Sequence, residues 1–288
     1  MNYDQDFYTG HGVQVTINCR GTIVDLSTPV IMGILNITPD SFFDGGKFTE
    51  ESRILEHAAT MLADGATFID VGGQSSRPGA ALISASQELD RIIPVIESLI
   101  RNYKGILISV DTFYADVAEA ALSAGAVMVN DISAGTIDPG IIDVVSKCRS
   151  PYVLMHMKGR PADMQKEPEY ENVTEEVFTF LKDRLIELKS IGIEDVIIDP
   201  GFGFGKDQDH NFTLLRELKQ FTLLGKPLMA GISRKSMICS TLGVDPEGAL
   251  HGTGALHMTA LLNGASILRA HDVKEAAQVI KLYQRVRG

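Results

Sequence analysis

Polar residues whose chemistry could bind or activate a substrate recur after short apolar runs: Asn36, Asp70, Asp111, Asn130, Asp131, His156, Asp199, Ser233, Arg234, Lys235, Arg269, His271 and Asp272. They sort by charge. Asp111 and Asp199, with Asn130, can accept hydrogen bonds from a flat, amine-bearing heterocycle, while Arg77, Lys235, Arg269 and His271 can hold an anion. The expected substrate carries both features. Arg269 and His271 alternate across Ala270, so in an extended strand their side chains share one side, and a diphosphate suits such a pair. Any single member could merely cap a loop or helix. A polar residue at almost every strand end is poorly explained that way.

The runs that place these residues are VIMGILNIT from Val30, TFIDVGG from Thr67, ILISVDT from Ile106, VMVNDIS from Val127, YVLMHM from Tyr152, DVIIDPG from Asp195, PLMAGIS from Pro227 and SILRAHD from Ser266. Amphipathic stretches lie between them: Glu50 to Ala63, Glu88 to Arg101, Ala115 to Ala124, Thr174 to Lys189, Asn211 to Lys219 and Lys274 to Val286. Continuous apolar strands fit a parallel sheet covered on both faces. About eight strand and helix units predict an α/β fold, a closed (β/α)8 TIM barrel, whose active site forms where the strands end. Val13 to Ile17 can pair with Thr22 to Leu26 across Cys19-Arg20-Gly21, which predicts an N-terminal β-hairpin closing the barrel floor. Three segments read as long connections: Thr38 to Lys47, Gly72 to Ser84 and Gly159 to Asn172. An open nucleotide-binding sheet is disfavoured, because GFGFGKD at Gly201 lacks the last glycine of G-x-G-x-x-G and neither Gly-Lys pair continues to Ser or Thr.

The chain has 288 residues, 26 Lys plus Arg and 37 Asp plus Glu, a net charge of −11. Nucleic acid is therefore an improbable partner, since such binding rests on basic groups displacing counterions. Hydrophobic residues at 44% allow a large core, and the whole of 1–288 reads as a single barrel domain. Cys19, Cys148 and Cys239 are scattered and odd in number, which fits a reducing cytoplasm. No stretch has the length and apolarity of a membrane span, and no secretory leader is evident.

In family order the chain carries MGILNITPDSFFDGG from Met32, GATFIDVGGQSSRPG from Gly65, then VDT, NDI, MHM, DPGFGFGK, GISRKS and RAHDV. With these motifs it resembles the dihydropteroate synthases, folate-pathway enzymes targeted by sulfonamides. The resemblance implies condensation of 6-hydroxymethyl-7,8-dihydropterin diphosphate with p-aminobenzoate, giving 7,8-dihydropteroate and pyrophosphate. It assigns Asp199, Asn130, Asp111 and Lys235 to the pterin pocket, and Asn36 to a Mg²⁺ that also binds diphosphate. Arg269 and His271 become the anion-binding pair. Ser76, Arg77 and Pro78 fall in the second loop and Phe42 in the first. Phe204, Lys235 and Ser233 fall in the p-aminobenzoate pocket, and Gly231 and Met155 also line the substrate site. A homodimer through the later barrel helices is implied too. The chain departs from the family at Gln74, where many relatives are acidic, and at Phe43, where Ser is frequent.

The chemistry of these residues agrees. Mg²⁺ favours oxygen ligands and bridges substrate phosphates, so one Asn carbonyl suffices on the protein side. An electron-rich dihydropterin can delocalise positive charge, which predicts a dissociative substitution: pyrophosphate leaves on Mg²⁺, Arg269 and His271, and Asp111 and Asp199 stabilise the cation. An aryl amine is neutral near pH 7 and needs no strong base. Lys206 and Arg234 read as structural, and His156 as a packed strand-end residue. His251 and His257 are six apart and do not share the face of a metal pair. Three rivals remain. A methyltetrahydrofolate-to-corrinoid methyltransferase shares the pterin-reading residues, yet the chain has no Asp-x-His for cobalt. The others are a Schiff-base aldolase using Lys235 and a pterin-binding paralogue without turnover.

Overall fold

A computed structural model of the chain describes residues 12–37, 46–74, 82–159, 164 and 168–287, with only the backbone course at 46–50. Eight parallel strands close into a barrel: β3 (Val30–Asn36), β4 (Phe68–Gly72), β5 (Leu107–Asp111), β6 (Met128–Asp131), β7 (Tyr152–Met155), β8 (Val196–Asp199), β9 (Leu228–Ala230) and β10 (Ala265–Ala270). β10 pairs with β3 to complete the circle. Helices α1 (Gly46–Ala63), α2 (Ala85–Asn102), α3 (Ala115–Ser123), α4 (Gly140–Cys148), α5 (Val173–Ser190), α6 (Gln208–Arg216), α7 (Ser236–Leu242), α8 (Leu250–Leu262) and α9 (Val273–Arg287) fall between and after the strands. None is long and apolar enough to cross a membrane, among the described residues. The TIM barrel expected from the strand and helix alternation is the fold observed.

The strands are apolar on both faces for two different reasons. Outward residues such as Ile69, Ile108, Val129, Leu154 and Leu268 pack against the helices. Inward residues Met32, Phe68, Met128, Val153, Ile197, Met229 and Ile267 form a separate apolar layer at the barrel's lower end. Side chains alternate along a strand, so the next inward position lies two residues further on. That step leads from Phe68 to Asp70, Met128 to Asn130, Val153 to Met155, Ile197 to Asp199, Met229 to Gly231 and Ile267 to Arg269. An oily floor thus carries a polar layer directly above it.

The floor is covered by a hairpin of β1 (Thr16–Cys19) and β2 (Thr22–Asp25), whose Ile17, Cys19 and Val24, with Leu26, join the apolar layer. The pairing starts three residues later than Val13, because Cys19 lies inside the strand opposite Thr22 and the turn is the two residues Arg20-Gly21. Both have positive φ, 52° and 104°, as the tight hairpin turn that matches strand twist requires. Arg20 is held there by donating from Nη1 to the carbonyls of Leu122 and Ala126, at 2.6 and 2.9 Å. The side chain of Asn18 accepts from Gly21 N–H, and Asp195 Oδ1 accepts from the Asn18 amide.

Helix boundaries move where caps decide them. α6 begins at Gln208 rather than Asn211, because Asp207 accepts from the His210 amide at 2.8 Å while the His210 ring accepts from Asp207 N–H. After Arg216 the chain tightens into a 3-10 turn over Leu218–Leu224 instead of continuing to Lys219. α2 is similarly set by the Ser84 and Gln87 capping box. α4, α7 and α8 have no counterpart among the amphipathic stretches. α4 and α7 are short, nine and seven residues, and give periodicity little length to act on, while α8 carries apolar residues all round and so shows no amphipathic face.

Candidate active site

The polar layer converges at the strand ends. Asp70, in the middle of β4, is wholly buried and accepts on Oδ2 from Asn130 Nδ2 at 2.9 Å and Arg269 Nε at 2.6 Å. Arg269 also donates from Nη2 to Asp111 Oδ2 at 2.6 Å. One guanidinium therefore ties β10 to β4 and β5. Asp70 belongs to the ring of polar strand ends read from sequence but had no assigned role. Its function in the fold is to orient Asn130 and Arg269 together, and its other oxygen, Oδ1, has no partner among the described residues.

Asp199 ends β8 with Oδ1 accepting the Gly201 amide at 2.7 Å, and Oδ2 has no hydrogen bond among the described residues. Over that oxygen lies Gly231: a Cβ there would stand 3.7 Å from Asp199 Oδ2 and 3.8 Å from Lys235 Nζ. The missing side chain leaves room for a planar group against both charges. Lys235 donates to the Phe202 carbonyl and sits 4.8 Å from the centre of the Phe204 ring. Phe204 packs with Met155, Phe113, Ile132 and Met164 in a small apolar cluster at the mouth.

The loop from β9 into α7 sets Ser233 and Lys235 apart. Arg234 between them takes a left-handed backbone, φ 55°, a costly geometry for a residue with a side chain. It is fixed by a two-pronged pair with Asp272, at 2.9 and 2.6 Å, and by Thr253 Oγ1, which accepts the Arg234 amide. Ser233 consequently meets His271, with Oγ 3.1 Å from Nδ1 and accepting the His271 amide at 3.2 Å. Both described hydrogen bonds of the Ser233 side chain are with His271.

The electrostatics follow from enclosure. Burial, with the Asp70 and Asp131 carboxylates nearby, pushes Asp111 up to about 7 against the pull of Arg269. Burial also raises Asp199, although Lys235 opposes it. Lys235 falls to about 8, burial outweighing the attraction of Asp199. Burial disfavours the charge on Arg269, yet the Asp70 and Asp111 carboxylates more than compensate and keep it a fixed cation. Burial and the cations Arg269 and Arg234 lower His271 to about 4. The anion-holding pair expected from sequence is thus an arginine already bound to two carboxylates and a neutral imidazole. Neither is a free cation.

Behind β5 lies a carboxylate that sequence reasoning missed. Glu88 is buried in the first turn of α2 and accepts from Thr112 Oγ1 at 3.0 Å. Burial raises it to about 7. Arg91, one turn on, donates to the Gly73 carbonyl at 3.0 Å, and Gln74 Oε1 accepts from the Ile83 amide at 3.0 Å. An acidic residue inside an amphipathic helix gives no signal of burial, which is why Glu88 was read only as a helix start.

Asn36 ends β3, half-buried, in register with Gly72, which in turn is in register with Asp111. The glycine leaves the space between them open, since a Cβ there would lie 3.3 Å from Asp111. A neutral amide oxygen beside an open strand end suits a hard cation that takes most of its ligands from phosphate and water. No cluster of three or more His, Cys, Asp or Glu fit to hold a metal occurs among the described residues. Phe42, Phe43, Ser76, Arg77 and Pro78 lie outside the described residues.

A family model described as pterin binding enzyme matches residues 32–271. The chain is 42% identical over 267 residues to the dihydropteroate synthase of Escherichia coli (strain K12), covering 92% of this chain and 94% of that one. Its fold is similar to that of Yersinia pestis dihydropteroate synthase in a sulfonamide drug complex, with TM-score 0.88, 41% identity and coverage of 94% and 99%. It is also similar to that of Xanthomonas albilineans dihydropteroate synthase with 4-aminobenzoic acid, with TM-score 0.89, 41% identity and coverage of 95% and 98%.

Proposed function

The chain belongs to the pterin-binding enzyme family and acts as a dihydropteroate synthase in folate biosynthesis, and from that premise we propose how its own residues divide the reaction. The observation that carries the proposal is the gap over Gly231, facing the ammonium of Lys235 and an oxygen of Asp199 that has no hydrogen bond among the described residues.

The pterin ring lies in that gap. Asp199 Oδ2 accepts from its 2-amino group and ring N–H. Asn130, whose Nδ2 is committed to Asp70, presents its carbonyl to a second donor on the ring. The diphosphate reaches Arg269, which exchanges a carboxylate for the incoming phosphate oxygens, and His271 donates as a neutral imidazole. With Ser233 on Nδ1, the His271 proton is available on Nε2. The carbon–oxygen bond at the exocyclic methylene breaks and the electron pair leaves with pyrophosphate. The carboxylate of Asp111, released by Arg269, and that of Asp199, already against the ring, face the positive charge left on the pterin.

p-Aminobenzoate then enters beside Phe204, Met155 and Lys235, and its amine attacks the methylene carbon and gives its proton to solvent. Asn36 would hold Mg²⁺, which when bound supplies Lewis-acid charge neutralisation at the diphosphate. Phe42, Ser76 and Arg77 are assigned by sequence to the loops that exclude water. Inhibition by sulfonamides, a homodimer through the later barrel helices, a cytoplasmic location for the three free cysteines, and a single domain over 1–288 complete the reading.

The test is pyrophosphate release with dihydropterin diphosphate, Mg²⁺ and p-aminobenzoate, run beside Lys235→Ala and Asp199→Ala. Mg²⁺-dependent release with formation of dihydropteroate, lost in both variants, supports the reading. Pterin binding without pyrophosphate release overturns it and leaves methyl transfer to a corrinoid protein, or a binding paralogue, to be assayed.

A further inference from the structure

The mechanism leaves one buried cation without a task. Lys206 is 2% exposed, and its ammonium lies 2.8 Å from the Gly201 carbonyl, 3.0 Å from the Phe204 carbonyl, 3.3 Å from the His156 carbonyl and 3.0 Å from His156 Nδ1. Four acceptors surround three N–H donors, so every donor of the ammonium has a partner. Burial and the nearby Lys206 cation bring His156 down to about 2, so its ring is neutral and Nδ1 can accept. Burial also holds Lys206 well below the ordinary lysine range, so this ammonium is a costly component.

The segment it organises is the one that faces substrate. Gly201 and Gly205 have φ of 73° and 65°, and a Cβ on either would strike the carbonyl of His156 or Lys158 at 1.9 or 2.1 Å. The turn therefore lies flush on the chain leaving β7. Its other side bears on Lys235: the Phe202 carbonyl accepts from Lys235 Nζ, the Phe204 ring lies under it, and Gly203 would touch its stem if it had a side chain.

We propose that Lys206 is the positioning residue of the p-aminobenzoate pocket, its ammonium joining the Gly201 and Phe204 carbonyls to His156 so that the Phe204 ring and the Phe202 carbonyl are presented to Lys235. This rests on the synthase reading of the site. Asn211 and Tyr170 secure the same turn through the Gly203 amide, at 2.6 Å, and the Gly205 carbonyl, at 2.8 Å, but neither reaches the Phe204 peptide. Only Lys206, among the described residues, bonds to the Phe204 carbonyl.

Lys206→Met keeps the stem and removes the ammonium. With the full chain and Mg²⁺, the KM for p-aminobenzoate should rise tenfold or more. The affinity for 6-hydroxymethylpterin, measured by calorimetry, should stay within threefold of wild type. His156→Ala removes one ring acceptor but keeps Lys206, and should raise the same KM about threefold. In a Phe204→Leu background the effect of either substitution should largely vanish. A parallel loss of pterin affinity and p-aminobenzoate KM, or a lower melting temperature with both constants unchanged, overturns the proposal. If Lys206→Met does not fold, the His156→Ala and Phe204→Leu cycle decides alone, and additive effects there overturn it. Failure of wild-type turnover in the same assay is a different result and sinks the synthase reading.

Discussion

Nη2 of Arg269 lies 2.6 Å from Asp111 Oδ2, so the group best suited to grip a diphosphate is already paired before any ligand arrives. In the proposed mechanism the diphosphate displaces that contact, and the carboxylate so released faces the pterin. Asp111→Asn should therefore tighten pyrophosphate binding to the ligand-free protein by about three- to tenfold while weakening pterin. Calorimetry with each ligand alone checks this, and weaker binding of both would show that Asp111 does not compete for Arg269. Arg269→Lys, which cannot span Asp70 and Asp111 with two prongs, should lower turnover by a hundredfold or more.

The pH dependence follows from the same enclosure. Asp111, pushed up to about 7, gains its proton as the pH falls below that value, and Lys235, brought down to about 8, loses its proton above that value. A profile of kcat/KM should be a narrow bell centred between the two. Asp111→Asn should flatten the acid limb, and Lys235→Arg should carry the residual activity to higher pH. An acid limb unchanged in Asp111→Asn would assign it to another group.

His257 makes a stability prediction separate from catalysis. It is 2% exposed in α8, its Nε2 has no hydrogen-bond partner among the described residues, and burial lowers it to about 4 from an unfolded value near 6.5. A depressed folded value means the unfolded chain takes up the proton first, so this contribution is intact above about 6.5 and is lost as the pH falls toward 4. At pH 5 the loss is on the order of 2 kcal/mol. In His257→Gln, the drop in denaturant-derived stability from pH 7 to pH 5 should shrink by about that amount. An identical drop would mean that His257 is protonated in the folded protein.

The hairpin turn offers a third measurement. Arg20 carries both a left-handed backbone and two hydrogen bonds to the carbonyls of Leu122 and Ala126. Arg20→Ala keeps the strain and loses the bonds, and should cost about 1–2 kcal/mol at this exposed site. Arg20→Gly loses the bonds but relieves the backbone, and should recover about 1 kcal/mol of that. Equal melting temperatures for the two variants would refute the strain at Arg20.

The barrel was legible because a buried parallel strand is a continuous apolar run, and each of the eight runs began within a residue or two of its observed strand. The ring of Asp111, Asn130, Asp199, Lys235 and Arg269 was legible because these residues stand where those runs end. What Arg269 grips was not, since Asp70 and Asp111 lie 199 and 158 residues away and nothing local marks the pairing. The neutrality of His271 was hidden similarly, being caused by burial and by neighbours brought in through other strands. Glu88 looks like an ordinary surface charge in the sequence, and Lys206, read there as structural, shows none of its four acceptors; only the closed fold puts both inside. Start and end of α6 were misread because the Asp207 and His210 cap was passed over in favour of apolar spacing.

The inward side chains Met32, Phe68, Met128, Val153, Ile197, Met229 and Ile267 plug the barrel, and the hairpin residues Ile17, Cys19, Val24 and Leu26 cover the plug from below, so traffic has one rim through which to pass. Whatever sits deepest, against Asp199 and Gly231, has to arrive before anything that rests near Phe204 at the rim, and a product joined from both must withdraw rim-end first. The queue at this active site is thus set by the oily layer beneath it, whose residues touch no substrate.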